Sequence, residues 1–198
     1  MTTSTKPAHR PKSRDLIMDA MERILNENGY DAATIDAVIE QSGVARGTFY
    51  YNFPSKNAVV HALARRAAQP MVTRAKERMA EDTPLAEVLS DLAQGIVNWN
   101  RLYPNLGRAV LSSAYDDKGL PIPPNPEDQQ SFRGFLAQIF SRCQAKGEIR
   151  SDIDPMSLSL MFIGMLFQGL FMWFLRPETD LPLWAEQTVS LFLEGVKS

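Results

Sequence analysis

The apolar residues of this chain repeat at helical spacing along most of its length. They recur three and four positions apart at about residues 16–25, 35–39, 85–99, 132–143 and 183–196. This spacing places them on one face of a helix, whereas a strand would alternate apolar and polar residues, which no segment here does. The pattern therefore predicts an all-α fold.

Capping and stop residues predict where the first helices begin and end. Ser13 is expected to cap a first helix that ends at Gly29, and Thr34 a second that ends at Gly43. A short third helix then begins near Val44. These three helices are expected to form one module.

Three dipeptides in the second half place a capping side chain before a first-turn proline, a combination typical of helix starts. They are Thr83-Pro84, Asn125-Pro126 and Asp154-Pro155, and they predict helices at about 84–102, 126–146 and 155–175. The apolar pattern adds helices at about 105–115 and 182–196. A fourth helix, which Ser55 is expected to cap, should kink or break at Pro70, because proline lacks the backbone N–H of a helix interior.

Two short helices joined by a glycine-containing turn are typical of a helix-turn-helix, whose second helix enters the major groove of DNA. The outward residues of the third helix suit that role. Arg46 can fork onto guanine, and Thr48 can meet a phosphate or a thymine methyl. The hydroxyls of Tyr50 and Tyr51 can donate to phosphates. Gly47, which costs a helix about 1 kcal/mol relative to alanine, suits a close backbone approach or simply loosens a surface helix.

Lys56 falls in the first turn of the helix that Ser55 caps, where free backbone N–H groups favour an anion. A phosphate shared by Lys56 and those groups would remove the conflict between a cation and the helix dipole. The alternative is an ordinary solvated lysine.

The sequence GVARGTFYYNFPSK, residues 43–56, resembles the recognition-helix signature of the TetR family of bacterial transcription regulators. The resemblance is close over roughly residues 14–66 and architectural elsewhere. Asn52 departs from it, since many members carry histidine there, although asparagine can still bind a phosphate. The resemblance implies DNA contacts at Thr34, Arg46, Gly47, Thr48, Tyr50, Tyr51, Asn52 and Lys56, with Arg46, Gly47 and Thr48 nearest the bases.

The predicted domains are a disordered basic tail at 1–12, a helix-turn-helix domain at 13–66, and a helical ligand-binding and dimerisation domain at 67–198. The whole chain has a net charge of −2, so the motif rather than the charge indicates DNA binding. Arg14 and three further cations lie in the first fourteen residues without an acid. This segment either reaches DNA or is an ordinary solvated terminus.

Residues Leu158 to Leu175 carry no charge and approach the length of a membrane span. Ser159, Gln168 and two glycines dilute the run, and a helix that is apolar all round can instead bury one face in its own core and the other on a partner. The resemblance favours burial, because the last two helices of such proteins pair across a twofold axis. It implies a homodimer through about 155–175 and 182–196, with no membrane.

The sequence contains few residues suited to catalysis or to metal binding. The chain has two histidines, His9 and His61, and one cysteine, Cys143. These assemble no nucleophilic triad or zinc spacing, so we expect no enzyme, no cofactor and no metal. Cys143 is expected to be inert packing. One cysteine and the lack of a secretory signal predict the cytoplasm.

Bulky side chains of the C-terminal half can line a cavity for a small apolar or aromatic effector, or can simply form core. The candidates are Trp99, Tyr103, Phe135, Met165, Phe167, Gln168 and Trp173. The prediction is a ligand-responsive regulator, acting as a repressor, that binds a palindromic operator as a homodimer. A kink at Pro70 would serve as a hinge in its response, or Pro70 marks a plain helix boundary. The alternatives are a membrane-anchored helical interaction protein and a small-molecule-binding bundle that does not bind DNA.

Overall fold

The computed structural model describes residues 12–113 and 132–197, and its regular elements in those ranges are all helices. The predicted all-α fold is confirmed. The helices are α1 (Ser13–Ala32), α2 (Ile35–Ser42), α3 (Arg46–Asn52), α4 (Lys56–Ala80), α5 (Leu85–Leu102), α6 (Pro104–Ser112), α7 (Phe132–Ala145), α8 (Pro155–Leu175) and α9 (Leu181–Val196). The tail expected at 1–12, apart from its last residue, and the helix start at Asn125-Pro126 lie outside the described residues.

The chain divides into two compact units, Met1–Leu63 and Ala64–Ser198. In the first unit, α1 packs against α2 and α3. The apolar stripe of α1 accounts for this packing, because its residues at helical spacing, such as Ile17 and Met21, are fully buried together with Val38 of α2 and Phe49 of α3. This small core holds α3 in place.

The turn between α2 and α3 follows the predicted chemistry. Thr34 Oγ1 accepts a hydrogen bond from the backbone N–H of Ala37 at 3.1 Å, which caps α2. Gly43 ends α2 in the left-handed region at φ 68°, a conformation that glycine adopts without strain. Ser13, however, does not cap α1. It is the first helical residue, Lys12 occupies the cap position, and no side chain bonds there.

In the second unit, α8 packs against α7 and α9, and α5 packs against α9. The rings of Phe140, Phe162 and Phe192 join α7, α8 and α9 at centroid distances of 5.0 to 6.5 Å. Asp154 caps α8 as predicted, because its Oδ2 accepts from the N–H of Ser157 at 2.8 Å. Thr83 does not cap α5, since Pro84 itself occupies the cap position and no side chain bonds there.

α4 continues through Pro70, so the helix does not break there. The alternative, a kink at Pro70, stays a prediction. Packing within the second unit explains why the helix persists despite the missing N–H. Met71 fills the space beside Gly95, and Arg78 Nε lies 3.0 Å from Asp91 Oδ2 of α5. Tertiary contacts of this kind routinely override a local propensity.

α8 is the one helix in the described ranges whose length and composition would suffice to cross a membrane. One of its faces nevertheless belongs to the core of the second unit, because Leu158, Phe162, Leu166 and Leu170 are all buried.

Candidate nucleic-acid interface

The short helix α3 places a buried ring beneath an exposed polar surface. Phe49 is fully buried, and Tyr50 meets it edge to face at 5.5 Å between ring centroids. Tyr50 is 48% exposed and Tyr51 is 91% exposed. The buried ring fixes the helix while the two phenols remain accessible. This is the arrangement that the spacing predicts.

Arg46 is the first residue of α3, and its guanidinium is exposed. Its Nη2 donates to Oδ1 of Asp36, the second residue of α2, in an ion pair that bridges the two helices. The guanidinium fork has five N–H donors, so further donors remain beyond this pair. Arg46 can therefore bind another acceptor while Asp36 holds it.

Gly47 and Thr48 follow Arg46 on the same helix. Within the described residues, a side-chain carbon added at Gly47 would meet no atom within 4 Å, so none of these residues demands a glycine there. The space above Gly47 is open to an incoming surface. Thr48 is half-buried, and its carbonyl accepts from Nδ2 of Asn52 at 2.8 Å. The amide of Asn52 is thus already engaged within the helix.

Lys56 is anchored to the end of α1. Its Nζ donates to the backbone oxygen of Tyr30 at 3.0 Å and lies 3.6 Å from the centroid of the Tyr30 ring. Burial lowers the pKa of Lys56, because a desolvated ammonium is disfavoured, and the negative charge of Asp31 partly opposes that shift. Lys56 is therefore a partly desolvated cation near the start of α4.

Arg14 joins the beginning of α1 to the end of α3. Its Nη1 donates to the backbone oxygen of Asn52 at 3.1 Å, and its guanidinium carbon lies 4.2 Å from the centroid of the Phe53 ring. The hydroxyl oxygen of Thr34 already accepts the hydrogen bond that caps α2. Both residues thus have roles in the fold of this unit, whatever they contact outside it.

The nine residues predicted to bind DNA all lie in α1 to α4 or at their ends. Sequence reasoning missed Asp36 and Tyr30, which hold the two cations Arg46 and Lys56. Asp36 reads as an ordinary first-turn acid, and Tyr30 reads as a core residue. Neither carries a local signal that reveals a partner ten or twenty-six positions away.

The residues predicted to line a ligand cavity differ widely in solvent exposure. Phe135 is buried in the core of the second unit, Met165, Phe167 and Trp173 pack partly buried against that core, and Tyr103 and Gln168 are exposed. Trp99 is half-buried, and its Nε1 is a buried donor without a hydrogen-bond partner in the described part of the chain. A buried indole N–H usually finds a partner, so Trp99 is the most informative of the set.

An open cleft of about 500 Å³ lies elsewhere in the second unit, beside Asp82 in the α4–α5 turn. Its apolar lining includes Met79, Leu85 and Leu193, and none of the predicted ligand residues contributes to it. Over the described residues, no group of three or more histidine, cysteine or acidic side chains could hold a metal ion.

Cys143 is buried in the core of the second unit. Burial is the main cause that raises the pKa of its thiol to about 12, and Glu148 adds to it. The thiol is therefore protonated at neutral pH and is a poor nucleophile.

Comparisons with known proteins agree with this geometry. The sequence model described as "Bacterial regulatory proteins, tetR family" matches residues 17–63, which include α2 and α3. The chain is 34% identical over 142 residues to the uncharacterized HTH-type transcriptional regulator YvdT of Bacillus subtilis, covering 70% of each protein. It is 22% identical over 191 residues to the fatty acid metabolism regulator protein of the same organism, covering 94% of this chain and 96% of that protein.

Solved structures show a similar fold at low sequence identity. Thermus thermophilus FadR, described as a transcriptional repressor in complex with lauroyl-CoA, aligns with a TM-score of 0.72 at 19% identity, covering 92% of this chain and 94% of that chain.

Proposed function

Because the chain belongs to the tetR family of bacterial regulatory proteins, we propose that it is a ligand-responsive repressor that binds a palindromic operator as a homodimer. The observation that carries this proposal is the surface of α3. Exposed Arg46, Tyr50 and Tyr51 stand over the buried Phe49 inside the matched region. Such a helix can supply a guanidinium to a base edge and phenols to phosphates.

DNA contacts are proposed at Thr34, Arg46, Gly47, Thr48, Tyr50, Tyr51, Asn52, Lys56 and Arg14. Arg46 and Thr48 would meet base edges beside the open backbone of Gly47. The tyrosines and Lys56 would bind phosphates, which position the protein without reading sequence. Asn52 and Arg14 are already bonded within the unit, so they would contribute secondary contacts.

The homodimer would form through α8 and α9. Six large apolar side chains on these two helices are exposed: Leu160, Met161, Phe171, Leu175, Leu183 and Leu191. Exposed apolar surface of this extent is typical of an interaction site. Because α8 also buries Leu158, Phe162, Leu166 and Leu170 in the core of the second unit, a partner subunit is favoured over a lipid bilayer, and the proposed location is the cytoplasm. A twofold dimer requires two matching half-sites about one helical turn, or a multiple of it, apart.

The effector is proposed to be a small molecule with an apolar or aromatic group that binds in the second unit. Its candidate contacts are Trp99, Tyr103, Phe135, Met165, Phe167, Gln168 and Trp173. The Nε1 of Trp99 would donate to a polar atom of the ligand. Since one relative is named a fatty acid metabolism regulator and one similar structure holds lauroyl-CoA, an acyl-CoA, which offers an apolar acyl chain on a charged carrier, is the first compound to test. To release the protein from DNA, the ligand must bind more tightly to the conformation that does not bind DNA. The proposed connection between the two units is α4.

Selection of bound fragments from genomic DNA tests the central proposal. The wild-type protein should recover a palindromic site, and its affinity should fall steeply with salt. Arg46→Ala should cost about 1–3 kcal/mol and relax base choice at one position in each half-site. Recovery of no common sequence would refute the proposal. Addition of lauroyl-CoA should release the operator, and tight binding of the ligand with unchanged operator affinity would rule out that effector mechanism.

Analytical ultracentrifugation tests the dimer. Met161→Glu and Leu191→Glu introduce charge on the apolar surface of α8 and α9 and should yield monomers. Gln94→Glu, which adds a charge to an exposed position of α5, is the matched control and should remain dimeric. Persistence of the dimer in both α8 and α9 variants would refute the proposed interface.

A further inference from the structure

Asp36 and Arg46 form the one ion pair found between α2 and α3 in the described residues. The carboxylate comes from the first turn of α2, and the guanidinium comes from the first residue of α3. Both side chains are mostly exposed, at 75% for Asp36 and 61% for Arg46. The pair therefore lies on the surface that, under the proposed function, faces DNA.

Folding stability is a weak explanation for this pair, because ion pairs between exposed side chains contribute little to stability. Nonspecific attraction to DNA is a worse one, because an acidic side chain on a DNA-binding surface repels phosphates. An effect on the direction of the Arg46 side chain is consistent with both facts. A carboxylate that accepts from one guanidinium nitrogen restricts where the other donors can point.

We propose that Asp36 is a positioning residue that sets base choice by holding Arg46. With one nitrogen bound to Asp36, the remaining donors of the fork stay available for the O6 and N7 atoms of guanine. The restraint reduces the rotamer freedom that Arg46 loses on binding. It also makes a hydrogen bond from Arg46 to a phosphate less favourable. Asp36 thus increases discrimination between bases while it lowers affinity for DNA in general. This inference rests on the proposed function, since it requires an operator.

The test measures binding of five variants to the operator selected by the wild type, to all its single-base substitutions and to random-sequence DNA. The variants are Asp36→Ala, Asp36→Asn, Arg46→Ala, the double variant Asp36→Ala/Arg46→Ala, and Glu40→Ala. Glu40 is an exposed acid of the same helix, so its removal changes the charge of α2 by the same amount as Asp36→Ala. Circular dichroism melts verify that each variant is folded.

The wild type is expected to prefer one base by roughly 5- to 150-fold at the position that Arg46→Ala identifies. Asp36→Ala and Asp36→Asn should reduce that preference to a few-fold, while random DNA is bound more tightly. Glu40→Ala should also bind random DNA more tightly but should keep the base preference. In the absence of Arg46, removal of Asp36 should leave the preference unchanged, because the two effects are coupled.

Two results would overturn the inference. One is a folded Asp36→Ala variant that keeps the full preference, and the other is an equal loss on removing Asp36 with or without Arg46. If the wild type itself selects no sequence, both the proposed function and this inference are refuted. That result can be told apart from the two results above, in which the wild type still selects an operator.

Discussion

The ammonium of Lys56 lies 3.6 Å from the centroid of the Tyr30 ring and donates to the Tyr30 backbone oxygen at 3.0 Å. This contact ties the first residue of α4 to the end of α1, just after Gly29 departs from helical geometry at φ 81°. The hydroxyl of Tyr30 also donates to Oδ1 of Asn57 at 2.7 Å. Tyr30 thus positions Lys56 through both its ring and its backbone.

The pKa of Lys56 should therefore respond to DNA. In the free protein it lies below the ordinary lysine value, mainly because of burial. A bound phosphate favours the charged form, so operator DNA should raise this pKa. NMR titration of labelled lysine side chains measures the shift. Lys146, whose pKa is raised chiefly by its hydrogen bond to Asp82, is the internal control and should not change. An unchanged pKa of Lys56 in the complex would contradict the phosphate contact.

The same shift has a consequence for stability. Because the pKa of Lys56 is lowered in the folded state, the unfolded chain keeps this proton to a higher pH. This group therefore disfavours folding below its folded pKa, and its unfavourable contribution disappears as the pH rises to the unfolded value.

Tyr50→Phe should weaken binding to all DNA sequences alike. The substitution removes the hydroxyl but keeps the ring that packs on Phe49, so the fold of α3 should persist. Loss of a hydrogen bond to a phosphate is expected to cost about 0.5–3 kcal/mol. Competition binding with operator and random DNA measures it. Tyr103→Phe, at the exposed residue between α5 and α6, serves as a control. A change in sequence preference for Tyr50→Phe would argue against the phosphate role.

Local sequence signals were sufficient for most of the fold. Periodic apolar residues located the helices, and the caps at Thr34, Ser55 and Asp154 were found from their side-chain chemistry. The caps assigned to Ser13 and Thr83 failed because Lys12, which precedes Ser13, and Pro84, which follows Thr83, occupy the cap positions instead. A capping residue type marks a helix start only to within a position, since backbone geometry decides which residue is the cap.

The functional surface was predictable in one respect only. Which residues of α3 face outward follows from helical spacing around Phe49, and the exposure of Tyr50 and Tyr51 agrees with it. Which residues hold the cations depends on contacts between separate helices. Asp36 for Arg46 and Tyr30 for Lys56 are such contacts. Helical periodicity carries no information about them.

Gly169→Ala should loosen the packing of α8 on α9. A side-chain carbon at Gly169 would clash with Cδ1 of Trp184, whose Nε1 donates to the Met165 backbone oxygen at 2.9 Å. The indole would have to move, so overpacking should reduce the free energy of unfolding by about 1–3 kcal/mol. Urea denaturation measures the loss. Gly195→Ala, where an added carbon meets no atom of the described residues within 4 Å, is the control. Equal stability of the two variants would contradict this account.

Pro70→Ala should stabilise the second unit. Pro70 is exposed inside α4 and has no N–H to donate to the carbonyl one turn earlier. Proline in a helix interior is about 3 kcal/mol less favourable than alanine, although part of that difference is lost if α4 has adjusted around the ring. We therefore expect the free energy of unfolding to rise by about 1–3 kcal/mol in urea denaturation. Gln69→Ala changes the neighbouring exposed residue and should have an effect of only a few tenths of a kcal/mol. A Pro70→Ala variant no more stable than Gln69→Ala would contradict the expectation that the proline destabilises α4.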